Sequence, residues 1–182
     1  SGRIHLWSPA GADWSSSRGI STDTGECTSH DHVETIRGLV WICEQRVLIS
    51  GSFDKSIMKW VVKDGSLVHQ QTYATQAAVT CLIEHETSGS VVFGSEDGSV
   101  SQLDSISGTI FQIAELGSGV CSIAWLSNPI PGDQTAWVAC GLGDGTIVVH
   151  ETEAKFAPRP AAPIRVLNGP KGGVRSLLWH ED

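Results

Sequence analysis

Residues 47–60 read VLISGSFDKSIMKW, a short apolar run, a tight polar turn around Asp54 and a second, alternating run. Two such runs on either side of a turn rich in Gly, Ser and Asp predict a β-hairpin. The pattern returns as VVFGSEDGSVSQL at 91–103 and as WVACGLGDGTIVVH at 137–150. The turn aspartates Asp54, Asp97 and Asp144 are spaced by 43 and 47 residues. The sequence is therefore an array of repeated hairpins.

Each repeat also contains a strand before its hairpin and another after it. The preceding run has the form V-x-x-[IL] and begins at Val33, Val79, Val120 and Val174. In the clearest copy, four strands are expected to start near Val33, Arg46, Ser56 and Ser66. Four strands in about 43 residues are typical of a propeller blade. The sequence predicts an all-β protein made of four-stranded antiparallel blades.

The repeat divides the chain into three whole units and two partial ones. We place the whole units at 29–72, 73–114 and 115–168, and the partial units at 1–28 and 169–182. Two loop insertions, 8–23 and 152–163, fall between the third and fourth strands of their units. Their Ser-rich and Pro-rich composition is typical of extended loops. Alternatively, they dock a partner through the exposed aromatic anchors Trp14 and Phe156.

The repeats resemble the WD-repeat β-propeller family. His30, Ser50, Asp54 and Trp60 of the clearest copy match the family's His–Ser–Asp–Trp hydrogen-bonded tetrad. In the second and third copies only the aspartates Asp97 and Asp144 remain of the four. The resemblance implies that these aspartates fix their hairpin turns. Because family propellers usually close with seven blades, we expect a partial propeller or a segment of a longer one. The missing blades would then come from another segment or another chain.

Composition and charge limit the function classes. The 182 residues carry 20 acidic and 12 basic side chains, a net charge of −8. Direct nucleic-acid binding is disfavoured because phosphate neutralisation needs clustered lysines and arginines. Basic residues gather only near the C-terminus, at Lys155, Arg159, Arg165, Lys171 and Arg175. No apolar stretch is long enough for a membrane span. Five cysteines without a CxxC pair favour reduced thiols in an intracellular protein, cytoplasmic or nuclear.

Motifs for catalysis or metal binding are absent from the sequence. His30-Asp31-His32 could hold a metal, but the repeat register assigns His30 a structural place. No H-E-x-x-H, G-x-S-x-G or Walker pattern occurs, so we predict no catalytic residue, no metal and no cofactor. Among the tryptophans, Trp125 and Trp179 are expected to pack between blades. Trp41 and Trp137 are expected in the core.

The resemblance implies a non-catalytic scaffold that binds proteins or peptides within a larger complex. The residue before each turn aspartate should face the binding surface, which nominates Phe53 and Glu96 as contact residues. An exposed Phe53 would be an apolar anchor, and Glu96 would suit a basic peptide. Two alternatives remain open. One is a propeller enzyme or small-ligand binder that uses the central channel, and the other is an RNA-associated subunit.

Overall fold

The computed structural model describes Ile4 and residues 32–63, 66–85, 89–127, 135–153, 163–169 and 171–179. Twelve strands in these ranges form three antiparallel sheets, each made of four consecutive strands. This confirms the predicted all-β class and the four-stranded blade. Within the described residues, no helix has the length and apolar character that crossing a membrane requires.

The first blade contains β1 (Ile36–Ile42), β2 (Val47–Ser52), β3 (Ser56–Lys63) and β4 (Ser66–Ala74). Three of its strands begin within one residue of the predicted starts, but β1 begins at Ile36 and not near Val33. Val33 is 81% exposed. Ile36 pairs with Ser52, two residues before the turn aspartate, as Val79 pairs with Ser95 in the next blade. The predicted alignment of this first strand was therefore out of register by three residues.

The other two blades repeat this arrangement. The second contains β5 (Val79–His85), β6 (Ser90–Ser95), β7 (Ser99–Leu103) and β8 (Ile110–Glu115). The third contains β9 (Val120–Ser127), β10 (Thr135–Leu142), β11 (Thr146–Glu153) and β12 (Pro163–Asn168). The insertion predicted at 152–163 thus joins a third strand to a fourth, although most of it lies outside the described residues. The insertion predicted at 8–23 lies wholly outside them.

Neighbouring blades pack through valines that sit against glycines. The first-strand residue Val120 contacts Gly94 so closely that a Cβ on Gly94 would lie 2.5 Å from Val120 Cγ1. The same approach joins Val79 to Gly51, and Val174 to Gly141. Around these contacts, two clusters of buried apolar side chains fill the space between the first and second blades and between the second and third. Burial of apolar area of this kind is the main source of stability in such a fold.

The tryptophans divide between buried and exposed positions. Trp125 is buried, with its ring centroid 4.1 Å from that of His85. Trp41 and Trp137 are 40% and 37% exposed, so their expected core location is wrong. Residues of β1 alternate between two faces, and Trp41 falls on the more exposed one. Trp137 instead lies beside Trp179, with 6.4 Å between ring centroids.

The first strand predicted at Val174–Trp179 does not form. Residues 171–179 have no regular secondary structure, although the Val174 N–H donates to Leu142 O at 3.0 Å. A β-strand needs a neighbouring strand to satisfy its backbone groups, and no described strand pairs with this segment. The strand predicted at Arg3–Trp7 lies outside the described residues apart from Ile4.

Candidate functional site

One edge of the three sheets carries every turn between second and third strands and the connections between blades. We call this edge the turn face and define it by the turns 53–55, 96–98 and 143–145 and the connections 75–78 and 116–119. Backbone hydrogen bonds join each turn to the segment before the first strand of its own blade: Phe53 N–H donates to Thr35 O, Glu96 N–H to Ala78 O and Gly143 N–H to Gly119 O. The turn face is consequently a rigid, repeated surface.

The first blade contains a complete four-residue hydrogen-bonded chain at the turn face. The indole N–H of Trp60 donates to Ser50 Oγ at 2.8 Å, and Ser50 Oγ lies 2.7 Å from His32 Nε2. His32 Nδ1 lies 2.8 Å from Asp54 Oδ2. A carboxylate only accepts, so the geometry puts a proton on Nδ1 and lets Nε2 accept from the Ser50 hydroxyl. All four residues thus belong to one directed chain of donors and acceptors.

The histidine of this chain is His32, so the assignment of that place to His30 is wrong. His30 itself lies outside the described residues. The error follows from the register of the first strand. Counting back from Val33 leads to His30, whereas the true first-strand residue is Ile36 and the histidine stands four residues before it. The residues four before Val79 and Val120 are Thr75 and Leu116, which therefore occupy the histidine place in the other blades.

The carboxylate of Asp54 is held ionised by its neighbours. Burial alone would raise the pKa of Asp54, but hydrogen bonds from Ser56 and His32 and the charge interaction with His32 hold it below the ordinary value. The Val33 N–H also donates to Asp54 Oδ2, at 3.0 Å. This carboxylate ties together the turn, the third strand and the segment before the first strand. Both oxygens of the Asp54 carboxylate thus accept hydrogen bonds from residues of the first blade and of the segment before it.

The other turn aspartates make simpler contacts. Asp97 Oδ1 accepts from the Ser99 hydroxyl and from the Ser99 N–H, at 2.7 and 2.9 Å. Asp144 Oδ1 accepts from the Thr146 N–H at 2.8 Å. The Ser99 hydroxyl is the main cause of the lowered pKa of Asp97, and the Thr146 N–H is the main cause of the lowered pKa of Asp144. Each caps its own hairpin, a local role typical of aspartate in turns.

The predicted contact residues Phe53 and Glu96 both lie in turns of the turn face. Phe53 is half-buried, and the Arg37 guanidinium lies 4.9 Å from the centroid of its ring, a cation–π contact. Glu96 is exposed. The other two predicted contact residues, Trp14 and Phe156, lie outside the described residues. The turn face therefore presents Phe53 with Arg37 on the first blade and the exposed carboxylate of Glu96 on the second.

A cavity of about 520 Å³ opens between the first and second blades. Its walls come from residues 74–76 at the end of β4 and from β6, the following turn, β7 and β8. Most of its lining is polar and includes the carboxylates of Asp97 and Glu115, and none of its lining residues is Lys, Arg or His. Sequence reasoning missed this cavity. The signal was present in the second repeat, where Thr75 replaces the histidine of the tetrad.

The described residues hold no grouping of three or more His, Cys, Asp or Glu side chains that could bind a metal ion. The four cysteines in the described part of the chain are free thiols: Cys43, Cys81, Cys121 and Cys140. Burial raises the pKa of Cys81 to about 11 and that of Cys140 to about 12. Because the thiolate is the reactive form, these two thiols are poor nucleophiles at neutral pH.

Comparison with known proteins agrees with this geometry. Residues 23–60 match the family model of the WD domain, G-beta repeat. A search of curated protein sequences gives no significant match. Two computationally designed proteins have similar crystal structures. Ika4 is 23% identical with a TM-score of 0.59, over 82% of this chain and 82% of that one. Ika8 is 23% identical with a TM-score of 0.60, over 83% of this chain and 42% of that one. At such identity the likeness concerns the fold.

Proposed function

Because residues 23–60 match the model of the WD domain, G-beta repeat, and the described sheets have the form of propeller blades, we propose that this chain is a non-catalytic scaffold for protein or peptide partners. The scaffold would act within a larger intracellular complex. The observation that carries this proposal is the turn face. Repeated backbone bonds hold its turns rigidly, and they present Phe53 with Arg37 on one blade and Glu96 on the next. Rigid presentation of an aromatic anchor beside charged groups is typical of binding surfaces.

The titratable groups of the described residues support a structural role over catalysis. Asp54, Asp97 and Asp144 each accept hydrogen bonds within their own hairpin. They belong to separate blades, so no two of them form the paired acid and base that hydrolytic chemistry uses. A screen for generic hydrolase activity would separate the scaffold from a propeller enzyme, because turnover above background would contradict our proposal.

Selection of peptides by the protein itself tests the scaffold function. We expect the protein to enrich a defined sequence class from a displayed peptide library. Phe53→Ala and Glu96→Ala should each weaken binding of the selected peptides by about tenfold, as expected for contact residues at the centre of an interface. Ile106→Ala is the matched control, since Ile106 is 78% exposed at the opposite edge of the second blade. Equal losses in all three variants, or no enrichment, would contradict the proposal.

We also propose that a further blade, from another segment or another chain, covers the open face of the third blade. Ile147 follows its turn aspartate by three residues, as Ile57 and Val100 do. Ile57 and Val100 are fully buried by the next blade, whereas Ile147 is only half-buried. Sedimentation analysis of the chain should show self-association that Ile147→Asp abolishes. A monomer at all concentrations would count against a second copy as the covering element.

The RNA-associated alternative makes an opposite electrostatic prediction. Binding driven by phosphate contacts weakens steeply with salt. Exposed Lys171 and Arg175 lie in the C-terminal described segment. RNA binding that falls with salt and with replacement of these two residues would favour that alternative over the scaffold.

A further inference from the structure

The cavity of the second blade lies where the first blade places its own histidine. In the first blade, the His32 ring lies between the Asp54 carboxylate and the Ser50 hydroxyl. The corresponding residues of the second blade are Thr75, Asp97 and Phe93, and all three line the cavity. A threonine is too short to span the space that an imidazole fills. The second blade thus keeps the acceptor of this arrangement and lacks the donor.

The Asp97 carboxylate of the second blade consequently accepts fewer hydrogen bonds than the Asp54 carboxylate of the first. Asp54 Oδ2 accepts from His32 and from the Val33 N–H. Asp97 accepts only through Oδ1 from Ser99, and among the described residues no hydrogen bond reaches its Oδ2. The exposed Glu115 carboxylate faces the same cavity. Two negative charges with no basic residue in the lining favour a positively charged occupant.

Two buried serines provide an independent indication of a ligand. Ser95 and Ser101 line the cavity and are only 1% and 7% exposed. Among the described residues, no hydrogen bond joins either hydroxyl to the protein. Each hydroxyl is therefore free to form a hydrogen bond with a molecule in the cavity that its residue lines.

We propose that this cavity binds an arginine side chain of a partner peptide. A guanidinium has five N–H donors in one plane, which suits two carboxylates and two hydroxyls around a single cavity. The methylene groups of an arginine side chain would pack against Ile110, an apolar residue of the cavity wall. The volume of about 520 Å³ lies within the usual range for ligand pockets. This inference rests on the proposed function and identifies the chemistry of its partner.

Titration with the tripeptide N-acetyl-Ala-Arg-Ala-amide tests the site by NMR. We expect saturable shifts of the backbone amides at 75–76 and 97–99. The same tripeptide with citrulline has nearly the same shape without the charge and should bind at least about tenfold more weakly. The lysine tripeptide should also bind more weakly, because an ammonium lacks the planar fork of donors. Equal affinity for citrulline or lysine, or shifts confined to other regions, would overturn the proposal.

Variants of the protein provide the second arm of the experiment. Asp97→Asn with Glu115→Gln should weaken arginine binding at least about tenfold. The matched control is Asp144→Asn, the same turn position in the third blade, which should bind as the wild type does. Ser101→Met should close the cavity, and the fold accepts methionine there because Met58 holds that position in the first blade. Unchanged binding in the first or last variant would overturn the proposal.

The outcome is separable from that of the scaffold proposal. Neither Phe53 nor Glu96 lines the cavity. Their alanine variants should therefore leave the binding of the arginine tripeptide unchanged. If selected peptides bind through Phe53 while the tripeptide does not bind, the arginine site fails and the scaffold stands. If the tripeptide binds at the cavity but no peptide class depends on Phe53, the reverse holds.

Discussion

Replacing Ser50 by alanine removes the hydroxyl at the centre of the tetrad of the first blade. Ser50 is fully buried, and its oxygen contacts both the Trp60 indole and the His32 ring. The variant leaves the indole N–H and His32 Nε2 buried without their partner. Each buried polar group left unsatisfied costs about 1–3 kcal/mol. We therefore expect Ser50→Ala to lower the free energy of unfolding by about 2–6 kcal/mol.

Urea unfolding followed by tryptophan fluorescence and circular dichroism measures this loss. Ser101→Ala is the matched control, because Ser101 is a buried strand serine whose hydroxyl makes no hydrogen bond within the described residues. Its removal should change the free energy of unfolding by less than about 0.5 kcal/mol. A loss below about 1 kcal/mol in Ser50→Ala, or equal losses in the two variants, would refute the reasoning.

A double-mutant cycle isolates the bond between the serine and the tryptophan. Trp60→Phe removes the indole donor and keeps an aromatic ring in place. Since Ser50 and Trp60 share one hydrogen bond, the two losses in free energy of unfolding should differ from additivity by about 1 kcal/mol. Simple additivity would mean that the tetrad is a set of neighbours without energetic coupling.

The remaining predictions concern packing, pH and thiol reactivity. Gly94→Ala should lower the free energy of unfolding by about 1–3 kcal/mol, because its Cβ would clash at the blade interface. Gly117→Ala, with open space around it, should change that free energy by less than about 0.5 kcal/mol in the same urea titration. The folded-state pKa of Asp54 lies below 3.8, so its contribution is present above that value and lost as the pH falls further. Between about pH 5 and pH 2.5, Asp54→Asn should therefore lose less stability than the wild type, as judged from urea midpoints. Alkylation by iodoacetamide, mapped by mass spectrometry, should modify exposed Cys43 in the folded protein and Cys140 only after unfolding, because Cys140 is buried with a pKa of about 12. Modification of both at equal rates would contradict the described burial.

The repeated hairpins were predictable because the residues of each turn identify it from the local sequence alone. An aspartate flanked by small residues between two apolar runs requires no knowledge of tertiary contacts. The order and bounds of the three blades follow from that repeat. The first strand was harder to place, since Val33 and Ile36 both fit an apolar pattern. Only the pairing of Ile36 with Ser52 distinguishes them.

The tetrad histidine and the cavity depend on that three-dimensional register. With His30 and His32 both close to the first strand, the sequence offers two candidates, and the position of Asp54 in space selects one. The cavity depends on a side chain that is shorter than its counterpart in the first blade. Thr75 stands where the first blade has a histidine, and Thr75 lines the cavity together with Asp97.

The location of His32 changes where one blade ends and the next begins. This ring completes the first blade, yet it precedes β1 by four residues. At the same place before the second blade, Thr75 still bonds backward, its N–H donating to Lys55 O of the first blade at 2.9 Å. The sequence unit that completes a blade therefore begins about four residues before the first strand of the sheet. A blade that is transferred into another propeller should therefore be cut upstream of Thr75. A cut at Val79 would leave out Thr75, the residue at the place that His32 fills in the first blade.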